Sequence, residues 1–209
     1  METGNWTEIQ TKIKEKIKQI LFGYDMDKLS LYEKRKIVFE YLCSTLSYDF
    51  KLLEKIKYNV SNFPKIPRNP YTELKSVFDN NIGVCNAISQ YYKLLLEELD
   101  IISYCVVCDD GTNVNHQLVV VENIDDSSFS FDDITSVIVG RGTKDEFFDY
   151  DLEFANSHNQ GNKCISDEEK WVILPEEYID FLVGREKSKA ISLDYLPTNI
   201  KSQKNKFAL

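Results

Sequence analysis

The stretch from Gly83 to Asp133 constrains the fold more than any other part of the chain. Asn80–Asn81–Ile82–Gly83 breaks the backbone. Cys85–Leu99 then carries Ile88, Tyr91, Tyr92, Leu95, Leu96 and Leu99 at helical spacing. These positions share one helical face and are spaced for burial. Three strand-like segments follow it, Ile101–Cys108, His116–Val121 and Ser128–Asp132. Asp109–Asp110–Gly111 and Asn123–Ser127 read as the turns between them. Short polar turns join antiparallel neighbours, so one helix feeds an antiparallel meander. That is an α+β pattern. Leu95, Leu96 and Leu99 are expected to be buried against Val106, Leu118 and Val120.

Upstream, the chain reads as helical. Thr7–Gln10 looks like a capping box, and Ile9, Ile13, Ile17, Ile20 and Leu21 share one face as far as Gly23. Ser30–Glu33 is a second box, opening a helix with Leu31, Ile37, Val38, Tyr41 and Leu42. A third helix covers Phe50–Tyr58. Pro64, Pro67 and Pro70 punctuate a loop, and Thr72–Phe78 forms a helical turn. Downstream, Val137–Val139 reads as a strand, Ser166–Glu169 as a capped turn and Trp171–Leu174 as a last strand. Pro175 suits the first position of a helix through Val183. With 209 residues, one domain is expected over 1–183: a helical part at 1–62 and a core with its sheet at 72–183. Residues 184–209 form a polar extension, its last nine residues expected to be mobile.

Charge is unevenly spread. Residues 1–96 and 184–209 each carry a net +4, while residues 97–183 carry −17. So acidic a centre repels phosphates and argues against nucleic-acid binding. It predicts an acidic rim with a preference for neutral or basic peptides, or serves solubility alone. The longest strongly apolar run is Leu118–Val121, far below the roughly 18 residues of a membrane span. METGNWTEIQTK has neither a basic nor an apolar leader region, and five irregularly spaced cysteines do not suggest a disulfide framework. The expected setting is cytoplasmic, or reached by export without a secretory signal peptide.

Three residues carry candidate chemistry. Gly83–Val84–Cys85 delivers a thiol to the first turn of a buried helix. There unpaired N–H groups favour thiolate and can hold an oxyanion. His116 opens an apolar strand, sharing a face with Leu118 and Val120. Asp133 follows the next strand, which as an antiparallel partner returns its end toward His116. A carboxylate there can hold one ring nitrogen and fix the tautomer. Asp132 should point to the opposite face.

The order Cys, His, Asp on helix, strand and strand resembles the transglutaminase-like superfamily, a papain-like group of cysteine enzymes. That group includes transglutaminases, peptide:N-glycanases and bacterial cysteine proteases. Its Gly-x-Cys, strand His and Asp-x-Thr motifs are matched by Gly83–Val84–Cys85, His116 and Asp133–Ile134–Thr135, separated by 31 and 17 residues. The resemblance covers about residues 38–136, with Tyr48–Asp49 in the region that precedes the family core. Two positions depart from the pattern. His116–Gln117–Leu118–Val119 lacks the His-x-Trp-Asn form, and Asn86 stands where an aromatic, Arg or Glu is common.

The resemblance implies a papain-like core in which the Cys85 helix packs on the antiparallel sheet. It implies acyl transfer through a thioester on Cys85, with His116 as acid and base and Asp133 as its orienting group. The substrate would be a peptide or protein, and no cofactor or metal is required. Hydrolysis, as a protease, amidase or deamidase, is favoured. Glutamine transamidation and an inactive interaction module are the alternatives. The Cys85 N–H would be one oxyanion donor, with Asn80, Asn81 and Tyr48 as candidates for the second.

Other residues read more plainly. Cys105-x-x-Cys108 with His116 lacks the paired ligands of a zinc site and lies on a strand rather than at a helix start, so the two read as strand cysteines. His158 reads as a solvated loop residue. Phe147, Phe148, Tyr150 and Phe154 either close the core behind the sheet or form an exposed apolar patch. No phosphate-binding loop, dinucleotide fingerprint or arginine after Cys85 suggests nucleotide or phosphatase chemistry.

Overall fold

In the computed structural model, α1 (Trp6–Ile20) and α2 (Leu31–Thr45) lead into a short strand, β1 (Ser47–Tyr48). Then come α3 (Phe50–Ser61), α4 (Pro70–Asn80), β2 (Ile82–Gly83) and α5 (Cys85–Glu98). The strands β3 (Ser103–Cys108), β4 (His116–Asn123) and β5 (Ser128–Asp132) follow. The chain continues through α6 (Ile134–Ile138), α7 (Leu152–His158), β6 (Trp171–Ile173) and α8 (Glu176–Val183). The structure describes residues 3–62, 68–108, 116–123, 128–158, 171–174 and 176–186.

The main sheet has the order β5-β4-β3-β6 and is antiparallel throughout. Cys108 lies opposite His116, and Val119 lies opposite Asp132. Ten of the 14 residues of α5 are buried, which makes this helix the axis of the core. It packs on β3 and β4 on one side and on α1 and α4 on the other. Leu95, Leu96, Leu99, Val106, Leu118 and Val120 are all buried, as expected from the helical and strand periods. Each such side chain contributes about 1.5–3 kcal/mol relative to exposure, so this interface sets where the first turn of α5 sits.

Local signals decided some elements and misled at others. Ser30 and Glu33 form the reciprocal capping box that starts α2. The box expected at Thr7–Gln10 does not form, because α1 begins two residues earlier, with Asn5 as its cap. The loop drawn around Pro70 is helix: Asn69 caps it, accepting from the N–H groups of Tyr71 and Thr72, and Pro70 occupies its first turn. Val137–Val139 is not a strand. Asp133 accepts the Ser136 N–H and turns the chain into α6, overriding the β propensity of Thr135, Val137 and Ile138.

Phe147, Phe148 and Tyr150 are buried and Phe154 is half-buried, so they form no exposed patch. Tyr150 bridges to Phe131 and its ring packs with those of Phe131, Phe147 and Phe154, while Phe148 packs on Tyr32 and Phe39 of α2. Among the described residues, five acidic groups of the central block are held in ion pairs with cations from other segments. Asp132 and Asp149 meet Arg35, Glu176 meets Lys93, and Glu97 and Asp180 meet Arg185. The turns expected at 109–111 and 123–127, the capped turn at 166–169, Pro175 and most of the polar extension lie outside the described residues, in whole or in part. Among the described residues, no helix is long and apolar enough to cross a membrane.

Candidate active site

Cys85 is the first residue of α5, after Val84, which has no capping side chain. The backbone leading to it is fixed by the parallel pair β1–β2. Ser47 N–H donates to the Asn81 carbonyl at 2.8 Å, and Asp49 N–H donates to the Gly83 carbonyl at 2.8 Å. Gly83 is needed for close approach, since a Cβ there would lie 2.5 Å from Val77 Cγ2. The same pairing brings Tyr48 to Cys85. Its hydroxyl lies close enough to Cys85 for the sulfur and the backbone there to shift the ionisation of the phenol. On its outer side the Tyr48 ring meets Phe50 edge-on at 5.1 Å, and Phe50 is 60% exposed.

His116 is buried at the start of β4. This end of the strand is stitched to the first turns of α5. Ser89 Oγ donates to the Gln117 carbonyl at 2.9 Å, and Gln117 Nε2 donates to the Asn86 carbonyl at 3.3 Å. Asp133 leaves β5 and caps α6, accepting from Ser136 N–H at 3.0 Å and Ser136 Oγ at 2.7 Å. Its Oδ2 lies 2.7 Å from His116 Nε2. That engagement leaves the other ring nitrogen for the Cys85 sulfur, which is near enough to raise the imidazole's affinity for a proton. Asp132 points elsewhere, to Arg35 and Tyr92, as strand alternation requires.

The three groups set each other's protonation. Burial pushes the Cys85 thiol up. The His116 ring, through hydrogen bond and charge, and the Gln117 N–H pull it below the usual thiol value. Burial opposes charge on His116, but the Asp133 carboxylate and the Cys85 sulfur raise it to about 10. Burial also opposes charge on Asp133, yet His116 and Ser136 hold it below the usual carboxylate value. All three shifts run toward a thiolate beside an imidazolium backed by a carboxylate. Such a trio can attack a carbonyl and then return a proton to a leaving amine. Cys85 is densely surrounded yet keeps part of its surface open.

Of the three oxyanion candidates, Tyr48 reaches Cys85. Asn81 closes α4 in a left-handed conformation, φ 54°, and acts through its carbonyl toward Ser47. Asn80 is exposed, with its amide near Ser76 Oγ. Sequence reasoning missed Gln117 and Ser136. A polar residue inside an otherwise apolar strand was the available sign of the first, and the spacing of a helix cap the sign of the second. Cys105 and Cys108 are buried, unbridged strand residues. His158 is the last residue of α7, and its side chain lies outside what is described. Among the described residues no cluster of three or more His, Cys, Asp or Glu side chains is arranged to hold a metal ion. A cleft of about 580 Å³ opens elsewhere, between the start of α2 and the end of β4, and none of Cys85, His116 and Asp133 lines it.

No protein-family model and no curated protein matches the chain. Among solved structures, a crystal structure of a TGase is similar over 64% of this chain, with a TM-score of 0.51 and 22% sequence identity. This chain spans about a third of the length of that one, 33%. The likeness supports a transglutaminase-like α+β fold.

Proposed function

We propose that the protein is a cysteine-dependent acyl-transfer enzyme acting on a peptide or amide carbonyl. The observation that carries this reading is the 2.7 Å contact of His116 Nε2 with Asp133 Oδ2, made by an imidazole that also meets the Cys85 sulfur. The thiolate attacks the carbonyl carbon, and the electron pair moves to oxygen. The Cys85 N–H at the start of α5 and the Tyr48 hydroxyl, which lies beside Cys85, are the donors this reading assigns to that oxyanion. As the tetrahedral intermediate collapses, the imidazolium gives its proton to the leaving amine, and a thioester remains. Neutral His116 then takes a proton from the incoming nucleophile, which attacks the thioester and releases Cys85.

Water as that nucleophile makes the protein a protease, amidase or deamidase, the first reading. An amine would make it a transamidating enzyme, and the likeness to a TGase structure keeps this second reading in play. The test is the intact mass after exposure to a thiol-directed amide electrophile, compared among wild type, Cys85→Ala and His116→Ala. A fast single adduct that needs both residues supports the reading. Slow labelling of several cysteines, indifferent to His116, removes it. A peptide substrate with and without a labelled primary amine then separates hydrolysis from transamidation.

A further inference from the structure

Asp132 and Asp133 are consecutive carboxylates at the end of β5, and one of them faces His116. β5 pairs with β4 on one edge and, on the other, makes a single backbone bridge from Phe131 to Tyr150. Backbone ladder bonds do not distinguish residues, so a slip of one position would exchange the faces of the two aspartates. Something must decide which carboxylate meets the imidazole.

Arg35, on α2 and 2% exposed, is bonded to the residues that tell the two registers apart. Its Nε and Nη2 donate to the two Asp132 oxygens at 2.8 and 2.6 Å. Nη2 also donates to Ser130 Oγ at 3.0 Å, and Nη1 to Asp149 Oδ1 at 2.9 Å. Tyr92 hydroxyl and Asp149 N–H complete the Asp132 carboxylate at 2.7 and 2.9 Å. Arg35 thus binds two positions, Ser130 and Asp132, on one face of β5. Slipping the strand by one residue would bring Phe129 or Phe131 to the place of Ser130 and leave the guanidinium facing a ring. It would also remove the bidentate pairing of a fully buried charge, an expensive loss.

We propose that Arg35 is a positioning residue that fixes the register of β5 and so assigns Asp133, rather than Asp132, to His116. The inference rests on the Cys85–His116–Asp133 reading above. A buried ion pair is often neutral in stability against apolar replacements, whereas its use in fixing register is well attested. That difference gives the test. The double variant Arg35→Met/Asp132→Asn removes both charges of the buried pair together, and the carboxylate it leaves without a cation, Asp149, is partly open to solvent. Its stability in denaturant is expected to stay near wild type. Its Cys85 alkylation rate at neutral pH is expected to fall roughly 10- to 100-fold, the size of effect produced by small misplacement of a reacting group. The pH profile of that rate should move toward an ordinary thiol. Arg35→Lys keeps the buried charge and the fold but cannot span Ser130 and both Asp132 oxygens, and should show the same shift at smaller size. The downfield proton resonance of the His116–Asp133 hydrogen bond reads the register whether or not Cys85 is reactive. Present in wild type and lost in the double variant, it supports the inference. Retained in both variants with unchanged alkylation, it overturns the inference. Slow, His116-independent alkylation in wild type with the resonance present would instead count against the catalytic reading.

Discussion

His116 Nε2 and Asp133 Oδ2 lie 2.7 Å apart, at the start of one strand and just past the end of its neighbour, with both side chains buried. The antiparallel pairing of β4 and β5 puts the two chain positions at the same end of the sheet, and the first turn of α5 lies against that end. A pair this deep keeps its charges because each stabilises the other, and Cys85 inherits the result.

The pH dependence of Cys85 should follow. His116 is raised to about 10 and Cys85 lies below the usual thiol value, so thiolate and imidazolium coexist in a window that closes as pH rises through about 10. Alkylation is expected to develop at lower pH than for an ordinary thiol and to fall in acid as the thiolate takes a proton. Turnover should also fall as pH rises through about 10, where the proton needed by the leaving amine is lost. In His116→Asn, burial remains without the cation. The alkylation rate should then climb only near or above the reference thiol value of 9.0. Stopped-flow alkylation across pH checks this, and a His116→Asn profile that overlays wild type would contradict it.

Asp133→Asn tests the linkage from the carboxylate side. A lowered carboxylate contributes stability above its reference value of 3.8 that is lost as pH falls through the lower folded value. A raised histidine contributes stability that is whole below 6.5 and is lost as pH rises through about 10. The stability gap between wild type and Asp133→Asn should therefore be widest between 3.8 and 6.5, closing on both sides. At its widest it should be about 1.5–3 kcal/mol, the range for a hydrogen bond to a charged group. Urea unfolding at a series of pH values measures it, and a gap that stays constant with pH would refute the coupling.

Gly83→Ala probes the approach to the nucleophile. The added Cβ would lie 2.5 Å from Cγ2 of Val77, which is fully buried and stiff at its branched carbon. Overpacking of this kind costs about 1–3 kcal/mol. The strain falls on the β1–β2 pair that also holds Tyr48, so electrophile labelling of Cys85 should slow as well. Unchanged thermal stability together with unchanged labelling would show that Gly83 serves neither purpose.

The core was legible because its elements repeat at their own periods. The apolar spacing of α5 and the short alternating strands after it can be read without tertiary information, and they place Cys85, His116 and Asp133 in order. What stayed hidden depends on partners distant in sequence. Arg35 sits in Glu33–Lys34–Arg35–Lys36, which looks like the wet face of a helix, and no local sign picks out the one cation that is buried against Asp132. Val137–Val139 reads as a strand from its β-branched residues. Its helix comes from Asp133, a residue whose second carboxylate oxygen is engaged by His116. The same side chain therefore serves the site and ends the sheet, and sequence periodicity registers neither role.

Tyr48→Phe separates the nucleophile from the oxyanion. The Tyr48 hydroxyl lies beside Cys85, and burial together with the charge of Cys85 holds the phenol well above its usual value. It is therefore a neutral donor around neutral pH. Alkylation by a haloacetamide forms no oxyanion, so removing the hydroxyl should leave that rate within a few-fold of wild type. Acyl transfer does form one, and loss of a single preorganised donor costs about 10²–10³ in kcat. The expected signature is a large drop in peptide turnover with alkylation preserved. Equal losses in both assays would instead assign Tyr48 to the thiolate, as a group that sets its ionisation, and leave the Cys85 N–H as the oxyanion donor supported by the geometry.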